Sequence, residues 1–174
     1  MTLAYTVAAQ SKDTSTKVGS VIVGPKRDVR ATGYNGAPRG FDDSDPRLLV
    51  RPDKYLFSEH SERNSIYQCA RNGTSCEGTT LYVSWLPCLD CARGIIQSGI
   101  AKVVIHKTGH MAYLLSQGDQ HQWDSAIAMS EQTMRDCGVL VEWLSKPLPL
   151  YVIGQFNGRR YRFNADDPSE VCAA

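Results

Sequence analysis

The feature that most constrains the fold is a strand–helix–strand unit in the middle of the chain. TTLYVSW (79–85) and AKVVIHK (101–107) are short runs rich in β-branched and aromatic residues, which predicts two strands. Residues 88–98 between them are predicted to be helical, with Pro87 near the first position and Gly99 as the stop signal. Strands joined through a helix pair in parallel, with the helix packed on the sheet. The unit therefore predicts an α/β fold.

The flanking patterns extend this unit into a single sheet. Further helices are predicted at 3–11, 60–72 and 124–136, and further strands at 17–24, 29–35 and 139–144. Loops are predicted over 36–57 and after the strand at 101–107, and the Asn157-Gly158 pair predicts a hairpin over 151–163. The order predicts a five-stranded mixed sheet with helices packed on it. A chain of 174 residues suits one domain, with a core over about 1–145 and a hairpin tail over 150–174.

Composition excludes several classes of protein. A hydrophobic fraction of 42% is typical of globular proteins, and no run reaches transmembrane length. The first residues lack a signal-peptide pattern, so we predict a soluble cytoplasmic protein without a membrane partner. A net charge of +1 with interspersed signs disfavours a nucleic acid polymer and favours a small-molecule substrate. In a reducing compartment, cysteines are metal-binding, catalytic or buried residues; the chain has Cys69, Cys76, Cys88, Cys91, Cys137 and Cys172.

A candidate zinc site combines Cys88 and Cys91 with His60. The two cysteines are spaced i, i+3 in the first turn of a predicted helix, whose N-terminus favours thiolates. His60 and Glu62 must both face the zinc site, but two residues apart on an ideal helix they would point about 200° away from each other. His60 is therefore expected at the entry of its helix rather than within it. Catalytic zinc takes three protein ligands and keeps one position open. Glu62 falls on the apolar face, where a carboxylate needs a partner, so it is the candidate proton carrier.

Two other interpretations of the Cys88–Cys91 pair stay open at this point. A Cys-x-x-Cys pair also occurs in redox dithiols, although those usually lack an associated His-x-Glu. A structural zinc site would need a fourth ligand, for which Cys69 or Cys76 is available, and it would leave Glu62 without a role.

His-x-Glu followed by Pro-Cys-x-x-Cys is the signature of zinc-dependent nucleobase deaminases. The chain also resembles the deoxycytidylate deaminases of the zinc-dependent cytidine deaminase superfamily; the resemblance covers SKDTSTKVGSVIV (11–23), ATGYNGAPRGFDD (31–43), EHSERNSI (59–66) and TLYVSWLPCLDCARGIIQSGIAKVV (80–104). It implies a three-layer α/β/α sandwich, one catalytic zinc held by His60, Cys88 and Cys91, and a homohexamer. It also implies hydrolysis of dCMP to dUMP and ammonia, which supplies dUMP for thymidylate synthesis. Ser61 stands where the family usually has alanine.

The resemblance further implies regulation by nucleoside triphosphates. Relatives are activated by dCTP and inhibited by dTTP, with Mg²⁺ accompanying the triphosphate. The segment GYNGAPRG is expected to form this allosteric pocket, with the residues Gly33, Tyr34, Gly36, Pro38, Arg39 and Gly40. Two of its glycines are expected to adopt backbone angles that a side chain would forbid. The alternative is that these glycines only shape a long turn.

The resemblance also assigns a substrate pocket, whose predicted residues are Asn35, Ser61, Trp85 and Tyr113. Asn35 matches a family position that hydrogen-bonds the sugar hydroxyl, and Tyr113 is expected to stack on the base, with His110 as the alternative. Arg47, Arg51 and Lys54 either hold the 5′-phosphate or are solvated charges. The competing functions are another zinc-dependent deaminase, acting on dCTP, cytidine or tRNA adenosine, and a non-catalytic nucleotide-sensing module.

Overall fold

The computed structural model describes residues 1–48, 50–117, 124–148 and 152–163. Its centre is a five-stranded sheet with the order β2-β1-β3-β4-β5. The strands are β1 (Gly19–Val23), β2 (Val29–Tyr34), β3 (Thr80–Val83), β4 (Lys102–His106) and β5 (Leu140–Leu144). β1 is antiparallel to β2 and β3, whereas β3, β4 and β5 are mutually parallel. The predicted mixed sheet, including its parallel half, is confirmed.

Helices cover both faces of this sheet. They are α1 (Thr2–Ala8), α2 (Lys54–Phe57), α3 (Ser61–Arg71), α4 (Leu89–Gln97), α5 (Lys107–Gln117) and α6 (Asp124–Asp136). Successive strand residues point to opposite faces. On β1, the Ser20 hydroxyl donates to the Ser61 carbonyl of α3 at 2.8 Å, while a Cβ on Gly19 would lie 2.0 Å from the Ala4 carbonyl of α1. α1 and α3 therefore lie on opposite faces, which confirms the three-layer α/β/α sandwich.

The core is built from the apolar residues of the central strands and the helices above them. Ile22, Leu81, Val103 and Ile105 are fully buried and pack with Ile95 of α4. Burying one such side chain contributes about 1.5–3 kcal/mol to stability, before the opposing conformational entropy is counted. This core fixes the positions at which α3 and α4 begin.

The segment after β4 is the main difference from the predicted architecture. The sequence predicts a loop there, but the segment forms α5 directly after His106. Gly109 was one reason to predict a loop. In the structure, glycine is required at this position of the helix, because a Cβ would lie 2.2 Å from the Tyr5 hydroxyl oxygen. Ala112 and Tyr113 are buried one turn later. Tertiary packing thus outweighs the low helix propensity of glycine.

The tail forms the predicted hairpin of β6 (Val152–Phe156) and β7 (Arg159–Phe163). Asn157 and Gly158 at its turn have φ angles of 49° and 76°, the positive values of a type I′ turn. The hairpin packs on α1 through Phe163, whose ring centroid lies 5.1 Å from that of Tyr5. Cys172 and the end of the predicted 150–174 tail lie outside the described residues, as do residues 118–123 of the loop predicted after the strand at 101–107.

The predicted loop over 36–57 contains only a 3-10 helix (Pro46–Leu48) and α2 among its described residues. Within the described ranges, no helix is long and apolar enough to cross a membrane.

Candidate active site

The N-terminal ends of α3 and α4 bring the three predicted ligands together. His60 is the N-cap residue of α3, with extended backbone angles of φ −84° and ψ 155°, so it lies at the helix entry as required. Cys88 is the N-cap residue of α4, and Cys91 lies buried in the first turn. The potential ligand atoms of the three side chains all lie within 4.8 Å of one another. His60 Nδ1 is 3.4 Å from Cys88 Sγ and 3.5 Å from Cys91 Sγ.

These spacings fit a tetrahedral zinc ion. With Zn–N of about 2.0 Å and Zn–S of about 2.3 Å, two ligand atoms of a tetrahedron are separated by about 3.5 Å. One imidazole and two sulfurs are also a donor set that zinc prefers over magnesium or calcium. The three residues therefore fit a zinc ion with one coordination position left open.

The electrostatics of the two thiols favour a divalent cation. A hydrogen bond from the Cys91 thiol lowers the pKa of Cys88 to about 3, against the effect of burial and with the help of His60. Donating that hydrogen bond, together with burial, raises the pKa of Cys91. The two sulfurs alone thus share one negative charge, whereas a divalent cation between them would favour two thiolates.

Glu62 lies beside this ligand set as the second residue of α3. Its side chain is almost fully buried, and burial is the main reason why its pKa is raised. The Ser61 hydroxyl donates a hydrogen bond to Glu62 Oε2 at 2.8 Å. Ser61 is itself fully buried, so its hydroxyl serves to orient the carboxyl group. A buried carboxyl group with a raised pKa is suited to exchanging protons near neutral pH.

Two residues that the sequence analysis did not single out hold His60 in place. The backbone N–H of His60 donates to Glu59 Oε1 at 3.2 Å, and the Arg63 guanidinium pairs with the same oxygen. The backbone of Glu59 also pairs with that of Gly36, with N–O distances of 3.0 and 2.8 Å. The i, i+4 spacing of Glu59 and Arg63 is typical of ion pairs at helices, so this pair could have been predicted from the sequence.

Comparison with known proteins identifies the family. The family described as "Cytidine and deoxycytidylate deaminase zinc-binding region" matches residues 1–107. The chain belongs to this family. It is thus a deaminase, a hydrolase whose family is built around a zinc-binding region.

Three similar proteins illustrate the relationship. The deoxycytidylate deaminase of Enterobacteria phage T2 is 36% identical over 145 residues, which cover 61% of this chain and 77% of that protein. An uncharacterised deaminase of Aliivibrio fischeri is 37% identical over 144 residues, covering 82% and 88%. The crystal structure of the cyanophage S-TIM5 dCMP deaminase in complex with dCMP and dUMP has a TM-score of 0.58 at 26% identity, covering 82% and 89%.

In this deaminase, the predicted substrate residues occupy different environments. Asn35 follows β2 and is buried, with its side chain hydrogen-bonded to the backbone of Thr16 and Val18. Trp85 lies just before the cysteine pair, and no described residue accepts a hydrogen bond from its indole N–H.

Tyr113 is only 3% exposed, and its ring centroid lies 3.9 Å from that of Trp85. The stacking of Tyr113 on the base therefore stays a prediction. The alternative residue, His110, is half-buried and lines a cleft of about 340 Å³ together with Lys107 and Trp143.

The GYNGAPRG segment divides into a buried part and an exposed part. Gly33 is buried in β2, where a Cβ would lie 2.1 Å from the Ser61 carbonyl oxygen, so packing alone requires this glycine. Tyr34, Pro38, Arg39 and Gly40 are exposed. The expectation of two glycines with angles that a side chain would forbid was wrong, because within the segment only Gly40 has a positive φ, of 82°.

The three cations considered for the 5′-phosphate also differ. Arg47 pairs with Asp45 at 2.6 Å and is exposed, whereas Arg51 donates to the side chains of Ser15 and Asn157. Lys54 is not a solvated charge, because it is 6% exposed. The sequence could not reveal this burial, since it depends on how the 36–57 segment folds back on the core.

The cysteines outside the site lack a metal pattern. Among the described residues, His60, Cys88 and Cys91 form the one group of three or more potential ligands close enough to share a metal ion. Cys69 and Cys76 are buried and Cys137 is exposed. This arrangement gives no fourth ligand for a structural zinc site in the described part of the chain.

Proposed function

We propose that this protein hydrolyses dCMP to dUMP and ammonia. The observation that carries the proposal is the tetrahedral spacing of His60, Cys88 and Cys91 beside the buried carboxyl group of Glu62. The T2 and S-TIM5 proteins, which carry the name deoxycytidylate or dCMP deaminase, support the choice of substrate. A redox dithiol would not require either His60 or a buried carboxyl group.

The proposed mechanism assigns each step of proton transfer to Glu62. Zinc, when bound, supplies a Lewis acid that activates water at neutral pH. Glu62 takes a proton from the attacking water and delivers it to N3 of cytosine while the C4–O bond forms. Glu62 then takes the proton of the new C4 hydroxyl group and passes it to the amino group; the C4–N bond breaks, the C4 carbonyl forms, and ammonia leaves. Ser61 orients the carboxyl group throughout, since its hydroxyl hydrogen-bonds Oε2.

The surrounding residues are proposed to hold the substrate. Asn35 meets the sugar hydroxyl, and Trp85 and Tyr113 form the aromatic wall for the base. Trp85 can in addition donate a hydrogen bond to the substrate, because its buried indole N–H has no acceptor among the described residues.

Regulation belongs to the same proposal. We infer that dCTP activates and dTTP inhibits the enzyme at the exposed part of GYNGAPRG, with Mg²⁺ accompanying the triphosphate. Arg39 supports this assignment, because it is exposed and pairs with no acidic side chain in the described ranges. We further propose that the enzyme is a homohexamer, that it acts in the cytoplasm, and that it supplies dUMP for thymidylate synthesis. Rates measured against dCMP concentration, with and without each triphosphate, test the regulatory part.

The substrate is tested by ammonia release from dCMP, dCTP, cytidine, a tRNA anticodon stem-loop and single-stranded DNA. We expect the highest kcat/KM for dCMP. A higher value for any other substrate would reassign the enzyme within its family. Binding of nucleotides without ammonia release would favour the sensing module.

A further inference from the structure

A buried ion pair next to the proposed substrate pocket has no role in the mechanism so far. Lys54 Nζ lies 2.9 Å and 3.1 Å from the two carboxylate oxygens of Asp13. The side chains are only 7% and 10% exposed. Burying two charges carries a desolvation cost that their attraction offsets only when further hydrogen bonds satisfy them. The other contacts of the pair therefore decide what it does.

Asp13 joins the ion pair to Asn35. Asp13 Oδ1 accepts hydrogen bonds from the backbone N–H groups of Ser15 and Thr16 at 2.7 and 3.1 Å. Asp13 Oδ2 accepts a longer hydrogen bond from Asn35 Nδ2 at 3.4 Å. Lys54 thus holds the carboxylate, and the carboxylate in turn faces the amide group of Asn35.

The hydrogen bonds of Asn35 leave one position for a ligand. An asparagine side chain offers two donor hydrogens on Nδ2 and two acceptor positions on Oδ1. Nδ2 donates to Asp13 and to the Thr16 carbonyl at 2.8 Å, so both donor hydrogens are used. Oδ1 accepts from the Val18 backbone N–H at 2.8 Å. Its second acceptor position has no partner among the described residues, so Asn35 can accept from a ligand but cannot donate to it.

The opposite orientation of the Asn35 amide is excluded by the same neighbours. A flipped amide would direct Nδ2 at the Val18 N–H, a contact between two donors. It would also direct Oδ1 at the Asp13 carboxylate, a contact between two acceptors. A flipped amide would also turn Oδ1 towards the Thr16 carbonyl, so the two backbone contacts with Thr16 and Val18 fix the orientation. Asp13 uses the remaining hydrogen of Nδ2, and Lys54 keeps the charge of Asp13 stable in a buried position.

We propose that Asp13 and Lys54 form a positioning unit that keeps Asn35 as a pure acceptor for the 3′-hydroxyl of the substrate. The inference rests on the proposed function, in which Asn35 meets the sugar. In a 2′-deoxynucleoside 5′-monophosphate, the 3′-hydroxyl is the only free hydroxyl group of the sugar. The unit would thus favour substrates that carry this donor and would act against substrates that lack it.

The test compares dCMP with 2′,3′-dideoxycytidine monophosphate, which lacks the 3′-hydroxyl. In the double variant Asp13→Asn/Lys54→Met, both charges are removed together, so that no buried charge is left unpaired. The amide introduced at position 13 must turn its oxygen towards the N–H groups of Ser15 and Thr16, so its NH2 group would face Asn35 Nδ2, a contact between two donors that displaces Asn35. We expect kcat/KM for dCMP to fall about tenfold, the equivalent of one lost hydrogen bond. The rate with the dideoxy substrate should stay within about twofold of the wild-type rate.

A matched control removes an ion pair that is partly exposed to solvent. Lys102 and Glu142 form such a pair on β4 and β5. The variant Lys102→Met/Glu142→Gln should keep the wild-type preference for dCMP over the dideoxy substrate. Should the first variant fail to fold, Asp13→Asn alone carries the test, because asparagine has the same shape as aspartate and leaves the packing around Lys54 unchanged. The same loss of preference is expected.

Several outcomes would overturn the inference. An equal fall of both rates would mean that the ion pair only supports the fold, and unchanged rates would mean that it does not position Asn35. Equal wild-type rates with the two substrates would remove the contact with the 3′-hydroxyl. A wild-type enzyme that does not deaminate dCMP would instead contradict the proposed function, which makes the two failures distinguishable.

Discussion

At the scale of single residues, the environment of Glu62 is the most informative. Its burial raises its pKa, and its position beside His60 gives it access to a metal-activated water. The Ser61 hydroxyl donates to one oxygen of Glu62, and it can donate in the same way to the oxygen of an uncharged amide. The proposed role depends on the ability of Glu62 to take up and release a proton. Glutamine lacks this ability but has nearly the same shape as glutamate.

We therefore predict that Glu62→Gln retains zinc and the native fold but loses turnover. Proton transfer by a positioned side chain accelerates a reaction by about 10² to 10⁴-fold, and here it serves more than one step. Zinc content, thermal unfolding and ammonia release should be measured on the same preparation. Glu142→Gln, at an exposed position, is the control and should be fully active. A folded Glu62→Gln variant with more than about a tenth of wild-type activity would remove Glu62 from this role.

The sequence alone predicted His60, Cys88, Cys91 and Glu62 as one group, because His-x-Glu followed by Pro-Cys-x-x-Cys is the signature of zinc-dependent nucleobase deaminases. The structure brings these side chains together as expected. The ion pair of Lys54 was not predicted, since nothing local distinguishes a buried lysine from a solvated one. The turn at Asp13 could have been predicted, because an aspartate two residues before a serine commonly stabilises a turn through its side chain.

At the scale of elements, the contact between β2 and α3 sets the position of the active site. Ser20 of β1 and Gly33 of β2 lie side by side, under the first turn of α3. The absence of a side chain at Gly33 allows the strand to approach the backbone of Ser61 and Ser65. The start of α3, and with it His60, is therefore located by a glycine that makes no contact with the proposed metal.

Alanine substitutions at Gly33 and Gly36 distinguish a glycine that is required by packing from one that is not. In Gly33→Ala, the added Cβ would lie 2.1 Å from the Ser61 oxygen, so we expect a loss of about 1–3 kcal/mol in the free energy of unfolding. In Gly36→Ala, the nearest atom would be 4.0 Å away, so stability should change by no more than about 1 kcal/mol. Urea unfolding of both variants provides the comparison. Equal effects would contradict the assigned role of Gly33.

Most elements were predictable from the sequence, because their apolar periodicity agrees with their burial. The helix α5 was not, since Gly109 and His110 are weak helix formers in an otherwise ambiguous stretch. Its formation depends on the contact of Gly109 with Tyr5, more than a hundred positions away along the chain. The helix propensities of the residues in this segment carry no information about such a long-range contact.

At the scale of the whole molecule, one buried polar contact joins distant parts of the chain. The Tyr5 hydroxyl of α1 donates to His106 Nδ1 at the end of β4, at 2.6 Å. The N–H of Gly109 donates to the same nitrogen at 3.2 Å, and the Phe163 ring of β7 packs against the imidazole. Burial, with a smaller contribution from the positive N-terminus, lowers the pKa of His106 to about 4.

This pKa predicts how stability depends on pH. The folded protein resists protonation of His106, whereas the unfolded chain takes up the proton near the ordinary pKa of 6.5. The contribution to stability is therefore complete above about pH 6.5, and roughly 3 kcal/mol is lost as the pH falls to about 4. Urea unfolding from pH 7 to pH 4 measures it. His106→Asn should have a smaller decline over this range, and an equal decline would contradict the assignment.

The central claim is that His60, Cys88 and Cys91 hold one zinc ion that makes this chain a dCMP deaminase. The most direct test is a titration of the metal-free protein with zinc, while ammonia release from dCMP is measured. We predict that activity rises from near zero and saturates at one zinc per chain, and that Cys88→Ala abolishes the response. Full activity without zinc, saturation at two ions per chain, or no ammonia from dCMP at saturation would contradict the account.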